Sequence, residues 1–290
     1  MTNRSLNDLL TLLDLEPLEA NIFRGGSRDL GSKSVFGGQV IGQALMAGAR
    51  TIDDGLPHSL HAYFLRPGDM TLPIVYDVDR VRDGRSFAAR RVQAIQNGKP
   101  ILSMIASFHR QETGPDHQKA MPEVAAPEAL EDQDSLRKRW LAAHPEVPEP
   151  LQRALLRQLA IEFRPVTPMD PFAPARCPPE QHIWFRAGGQ LPDDPVVHRC
   201  VLAYASDFSL LSTALLPHGK SYLSPDMVLA SIDHALWFHR DFRADDWLLY
   251  AMDSPTAQGS RGLSRGEIWT RDGRLVASVV QESLIRDISL

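Results

Sequence analysis

The sequence predicts an α+β chain of two tandem repeats, each a curved, mostly antiparallel sheet wrapped around one long buried helix. Three observations carry this. Around position 98 the chain reads Asn97-Gly98-Lys99-Pro100-Ile101-Leu102, and around 273 it reads Asp272-Gly273-Arg274-Leu275-Val276-Ala277; each is a hairpin turn, a basic residue and an apolar strand. Upstream, His61-Ala62-Tyr63-Phe64-Leu65 answers to His234-Ala235-Leu236-Trp237-Phe238, and the two matches share nearly one offset, 173 and 175 residues. Between the copies, twelve of the 22 prolines crowd into 111–180, a density that rules out continuous sheet or one long helix. The expected organisation is an N-terminal repeat over 1–112, a proline-rich connection with short helices over 113–160, and a C-terminal repeat over 161–290.

Each element has a local reason. Ser5 to Leu13 reads as a short amphipathic helix with Ser5 as its N-cap. A short strand at 21–24 precedes a helix over 36–47, Phe36-Gly37-Gly38-Gln39-Val40-Ile41-Gly42-Gln43-Ala44-Leu45-Met46-Ala47, whose small and apolar residues on nearly every side predict burial all round. Strands follow at 59–65, 74–81, 86–96 and 100–109, and the Asn97-Gly98 turn closes the last hairpin where φ > 0 is cheap. The connection carries short helices near 135–143 and 151–160, and 161–166 alternates like a strand. The second repeat runs the same way: a strand at 182–186, a helix over 197–216, and strands at 227–239, 247–254, 263–271 and 275–286. One long buried helix followed by such strands is the hotdog pattern, and in tandem the double hotdog. Hotdog domains bury a sheet edge by pairing, which a tandem chain can do internally.

Bulk properties narrow the function. With 290 residues, 43% hydrophobic and 23% charged, each repeat can hold its own core. A net charge of −5 argues against a nucleic-acid binder, though not against a phosphorylated ligand held by a local basic patch. Cys177 and Cys200 lack metal-ligand spacing and fit a reducing compartment, so the expected location is cytoplasmic. No apolar run reads as a membrane span and no signal segment is expected. The final Ile288-Ser289-Leu290 lacks the basic residue of a peroxisomal ending.

Three polar residues stand out in the second repeat. Asp207 is a lone carboxylate in the apolar helix Val201-Leu202-Ala203-Tyr204-Ala205-Ser206-Asp207-Phe208; the plain reading puts it on a solvent face, but no polar stripe exists for it to join. Gln281 interrupts an apolar strand where the first repeat has Ala106; its plain reading is a backbone-bonding strand residue. Ser231 opens Ser231-Ile232-Asp233-His234, and a strand serine is ordinarily unremarked. Asp233 and His234 point to opposite faces and cannot act as a pair, and the match of His61 to His234 favours a structural histidine. There is no Gly-x-Ser-x-Gly elbow, phosphate loop or dinucleotide fingerprint. Asp193 and His198 have the Asp-x-x-x-x-His spacing of hotdog hydratases, with Pro195 between them marking a helix start.

Several long motifs in register then resemble one family. Phe36-Gly37-Gly38-Gln39-Val40-Ile41-Gly42-Gln43-Ala44, Tyr63-Phe64-Leu65-Arg66-Pro67-Gly68-Asp69, Val81-Arg82-Asp83-Gly84-Arg85-Ser86-Phe87, Tyr204-Ala205-Ser206-Asp207 and Ile232-Asp233-His234-Ala235-Leu236-Trp237-Phe238 are similar to acyl-CoA thioesterase II of the TesB type, across nearly the whole chain. The resemblance implies a double hotdog, hydrolysis of fatty acyl-CoA, no cofactor or metal, and homodimers or homotetramers. It implies a catalytic set of Asp207, Ser231 and Gln281, with Ser231 where the family more often has Thr. In that scheme Asp207 is the general base for water held by Ser231 and Gln281, and Gly37 and Gly38 offer N–H groups to the oxyanion. The rivals are an enoyl-CoA hydratase using Asp193 and His198, and an acyl-CoA sensor without turnover, for which all three polar residues would be superfluous.

Overall fold

The computed structural model describes residues 4–31 and 33–289; Leu290, and with it the end of the peroxisomal comparison, lies outside the described residues. Helix α1 (Arg4–Leu13) starts one residue earlier than expected. Ser5 therefore sits inside the first turn instead of capping it, and its buried hydroxyl donates to the Gln158 carbonyl at 3.0 Å. The first repeat continues with β1 (Glu16–Glu19), β2 (Ile22–Gly25), α2 (Gly37–Ala49), β3 (Leu56–Phe64), β4 (Ile74–Asp83), β5 (Phe87–Gln96) and β6 (Lys99–His109). The connection forms α3 (Gln133–Ala143), capped by Asp132 on the Ser135 N–H, and α4 (Glu149–Leu155), which stops short of the expected 160. The second repeat adds β7 (Ile161–Pro165), β8 (Glu180–Ala187), α5 (Pro195–Ser206), α6 (Leu210–Thr213), β9 (Met227–Ser231), β10 (Asp233–Phe238), β11 (Leu248–Gln258), β12 (Arg261–Thr270) and β13 (Leu275–Asp287).

The strands form one sheet with the palindromic order β1-β2-β4-β5-β6-β3-β10-β13-β12-β11-β8-β7, and β9 pairs β13 off that path. The repeats thus join edge to edge through β3 and β10, antiparallel, with Leu60 opposite Leu236 and His61 opposite Ala235. This covers one strand edge of each repeat and leaves β1 and β7 at the ends of the joint sheet. Helices α2 and α5 lie against each other inside the curve, and one core contains residues of both repeats, from Ile41 and Leu45 to Leu202 and Leu236. Small residues permit the approach: a Cβ on Gly38 would stand 2.3 Å from the Tyr204 carbonyl oxygen, and one on Gly42 3.1 Å from that of Cys200.

The helices meet at both ends. The N-terminus of α2 meets the C-terminus of α5 at Asp207, and the C-terminus of α2 with Arg50 borders the N-terminus of α5 with Asp194. Arg50 reaches the Leu15 carbonyl and pairs with Asp14 at 2.6 Å, and Asp194 caps α5 by accepting from the Val196 N–H at 2.8 Å.

Two second-repeat elements are shorter than their sequence pattern suggests. The helix expected over 197–216 ends at Ser206, with Asp207 as its C-cap, and Ser209 takes a left-handed φ of 65° before α6 begins. The strand expected over 227–239 breaks at Ile232, whose N–H donates to Glu282 and whose carbonyl accepts from Phe64. Only six residues lie between Ala49 and Leu56, whereas 26 lie between Ser206 and Asp233, so the second repeat carries an insertion between helix and strand. That insertion begins at Asp207 and includes Ser231. The stretch 195–218 has the length and hydropathy of a membrane span, contrary to the sequence reading, but most of it is buried in this core and it is broken at Asp207.

Candidate active site

Asp207, Ser231 and Gln281 converge where the breaks in helix and strand face each other. Asp207 Oδ2 accepts the Gly38 N–H at 2.8 Å, across the junction between repeats. Its Oδ1 lies 3.4 Å from Ser231 Oγ, a long contact. Gln281 Nε2 donates to Ser231 Oγ at 2.9 Å and to Ser283 Oγ at 3.2 Å. Gln281 is fully buried, and its position explains the strand break: β13 pairs β10 before it, through Val280, and β9 after it, through Ser283. Asp233 pins that changeover by accepting the Glu282 N–H at 2.7 Å.

Burial pushes the Asp207 carboxyl above its ordinary value, against the opposing pull of His234, the Gly38 N–H, Ser231 and Gln281. The α5 C-terminus adds its negative end, while the α2 N-terminus supplies the compensating positive one. Gly37 also lies against the carboxylate, since a Cβ there would stand 2.7 Å from Asp207 Oδ2 and 2.8 Å from the Phe64 ring. The two glycines offered for an oxyanion therefore separate: the Gly38 N–H is committed to Asp207, and the Gly37 N–H has no partner among the described residues. A cleft of about 440 Å³ opens onto this point, lined by Gly37, Val40, Phe64, Ile101, Leu229 and Ser231, with Arg66 on its wall.

The match of His234 to His61 does not hold in the structure. It is fully buried, with Nδ1 2.6 Å from Gln281 Oε1 and Nε2 2.9 Å from Ser206 Oγ. His61 is exposed on the opposite face and packs edge-on against Trp237 at 5.1 Å. The inward positions of β3 are Leu60 and Ala62, those of β10 are His234 and Leu236, so the counterpart of His234 is Leu60, at an offset of 174. Period-two alternation, laid over both strands before matching letters, would have found it.

Asp193 and His198 do not meet as a hydratase pair. The Asp193 side chain is 98% exposed and pairs with Arg243, while His198 is buried and its Nδ1 accepts the Ala244 N–H at 2.9 Å.

With this geometry in place, comparison with known proteins is decisive. An acyl-CoA thioesterase family model matches residues 153–284, and that of the acyl-CoA thioesterase N-terminal domain matches residues 26–109. Acyl-CoA thioesterase 2 of Haemophilus influenzae is 44% identical over 282 residues, 97% of this chain and 98% of its own. The chain belongs to the acyl-CoA thioesterase family. It is accordingly a hydrolase of acyl-CoA thioesters. The human acyl-coenzyme A thioesterase 8 is likewise 44% identical, covering 95% of this chain and 88% of the relative. Among solved structures, the acyl-CoA thioesterase II of Mycobacterium marinum superposes with a TM-score of 0.78 at 43% identity, covering 96% and 98% of the two chains. A hotdog-fold protein of Alicyclobacillus acidocaldarius, only 18% identical, shares the fold with a TM-score of 0.76 over 99% of each chain. The double hotdog expected from the repeats is the fold of this family member.

Proposed function

We propose that this thioesterase releases fatty acids from acyl-CoA by direct attack of water, with Asp207 as general base and Ser231 and Gln281 holding the water. The observation that carries the reading is a half-buried carboxylate next to Gly37 and Ser231 of the cleft wall, flanked by a hydroxyl and an amide. Water transfers a proton to Asp207 as its oxygen adds to the thioester carbonyl carbon. The Gly37 N–H, at the positive end of α2, faces the developing oxyanion. Collapse breaks the C–S bond, and the proton on Asp207 goes to the departing CoA sulfur. The apolar walls take the acyl chain, and Arg66 is a cation within reach of the CoA phosphates. Two free cysteines fit the expected cytoplasmic setting, and the family resemblance supports a homodimer or homotetramer.

Thiol release from acyl-CoAs of rising chain length tests the reading; a folded protein that releases thiol from none would overturn it. Ser231→Ala is expected to lower kcat by about 10-fold or more, because one of two water-holding groups is lost, while Ser231→Thr keeps the hydroxyl and most of the rate. The base must be ionised to act, so kcat should fall as pH falls through the Asp207 pKa. With that pKa raised by burial, the acid limb should lie above the ordinary aspartate range. A limb at or below that range would exclude Asp207 as the base.

A further inference from the structure

We propose that His234 is a positioning residue, which as its Nδ1–H tautomer holds the Gln281 amide with its NH₂ group turned to Ser231 and the attacking water. The inference rests on the role given to Gln281 above. It starts from an ambiguity: a buried primary amide can sit either way round, and only its neighbours choose.

Two closed arrangements are possible here. In one, His234 Nδ1–H donates to Gln281 Oε1, Gln281 Nε2 donates to Ser231 Oγ, and the Ser231 proton is left to face Asp207 Oδ1. The Ser206 hydroxyl then donates to His234 Nε2. In the other, the amide is reversed, His234 Nδ1 accepts from it, and Nε2–H donates to Ser206 Oγ, whose proton goes to the Ala203 carbonyl at 2.9 Å. Ser231 must then give its proton to the amide oxygen, and Asp207 Oδ1 loses its donor. An ionised Asp207 favours the first arrangement, in which every proton along Ser206, His234, Gln281 and Ser231 is directed toward the carboxylate.

The comparison within the chain argues against a merely structural histidine. Where β3 meets β6 in the first repeat, the same inward pair is Leu60 opposite Ala106. The fold therefore builds this spot with an apolar pair, and the second repeat replaces both members together, by His234 and Gln281. Burying two polar side chains is costly unless they satisfy each other, and here they do so at 2.6 Å.

The test uses His234→Leu, the first repeat's own solution, with His234→Asn and Gln281→Ala beside it. The Asn amide can place an N–H near the position of Nδ1. Expected are a loss in kcat of about 10–100-fold for His234→Leu with KM within about 3-fold, and at least about 10-fold recovery in His234→Asn. In the Gln281→Ala background, His234→Leu should cause no further loss, since it acts through that amide. On the unaltered protein, ¹⁵N NMR should show His234 protonated at Nδ1 and not at Nε2. The Nε2–H tautomer, or full kcat in a folded His234→Leu while Gln281→Ala is impaired, would overturn the proposal alone. Full kcat in Gln281→Ala would remove the reading beneath it.

Discussion

Asp207→Asn is expected to lower kcat by at least about 10²-fold and, at neutral pH, to raise stability by about 0.5–2 kcal/mol. The substitution is nearly isosteric. Its amide oxygen can still accept the Gly38 N–H, and its NH₂ can donate to Ser231 Oγ, so the junction between α2 and α5 is preserved. What is lost is the ability to take a proton from water. What is gained follows from the direction of the Asp207 shift. A carboxyl whose folded-state pKa lies above its unfolded value binds its proton more tightly in the native state. Holding it ionised therefore costs stability above the folded pKa, a cost that vanishes as pH falls below the unfolded one. A neutral Asn removes that cost, so the stability difference between variant and parent should shrink toward acid pH. Side-by-side thiol release and thermal unfolding at several pH values check both halves. An active Asn variant would sink the proposed mechanism, and an unchanged unfolding temperature would mean that hydrogen bonds fully offset burial.

Gly38→Ala is expected to damage both stability and rate. The added Cβ would lie 2.3 Å from the Tyr204 carbonyl oxygen and 2.6 Å from the Phe36 ring. The first obstacle is main chain of α5 and cannot rotate away, so the two helices must separate, at a cost of about 1–3 kcal/mol. Separation also draws the Gly38 N–H off Asp207, which drives the carboxyl pKa further up and should reduce kcat about 10-fold at neutral pH. Gly48→Ala, in the same helix, is the control: its Cβ would meet Phe108 and Val92 at an ordinary 3.5 Å, and it should stabilise by about 0.5–1 kcal/mol through helix propensity. Chemical unfolding of the two variants separates contact from propensity. Equal stability of both would mean that the helices have room to spare.

Much of this was legible in the residues because the relevant signals are local. The Asn97-Gly98 and Asp272-Gly273 turns and the alternating strands around them set the hairpins, and β6 and β13 keep the expected offset face for face. Asp207 and Gln281 were visible as polar residues with no polar company. The insertion was harder to see. Residues 197–216 are apolar enough for one continuous helix, and nothing in the letters shows that it stops at Ser206 and that Ser209 turns left-handed; that is imposed by packing against Gly37, Gly38 and Tyr250, whose hydroxyl donates to the Ser206 carbonyl at 2.9 Å. The break at Ile232 is likewise tertiary, since β9 and β10 both pair with β13, in registers that differ by one residue. His234 was matched to the wrong residue, His61 instead of Leu60, because matching letters outweighed the side of the sheet on which they fall.

The two junctions between α2 and α5 can also be read as a division of labour. At one, Arg50 stands at a helix C-terminus and Asp194 at a helix N-terminus, each charge where the backbone dipoles favour it. At the other, the Asp207 carboxylate stands at the α5 C-terminus, where they disfavour it, and depends on the facing α2 N-terminus for compensation. In a pair of identical subunits every substitution would appear at both places, and a residue chosen for reactivity at one would be forced on the other. A single gene encoding both halves lifts that symmetry constraint, so selection can harden one end of the helix pair while leaving the opposite end frustrated and reactive.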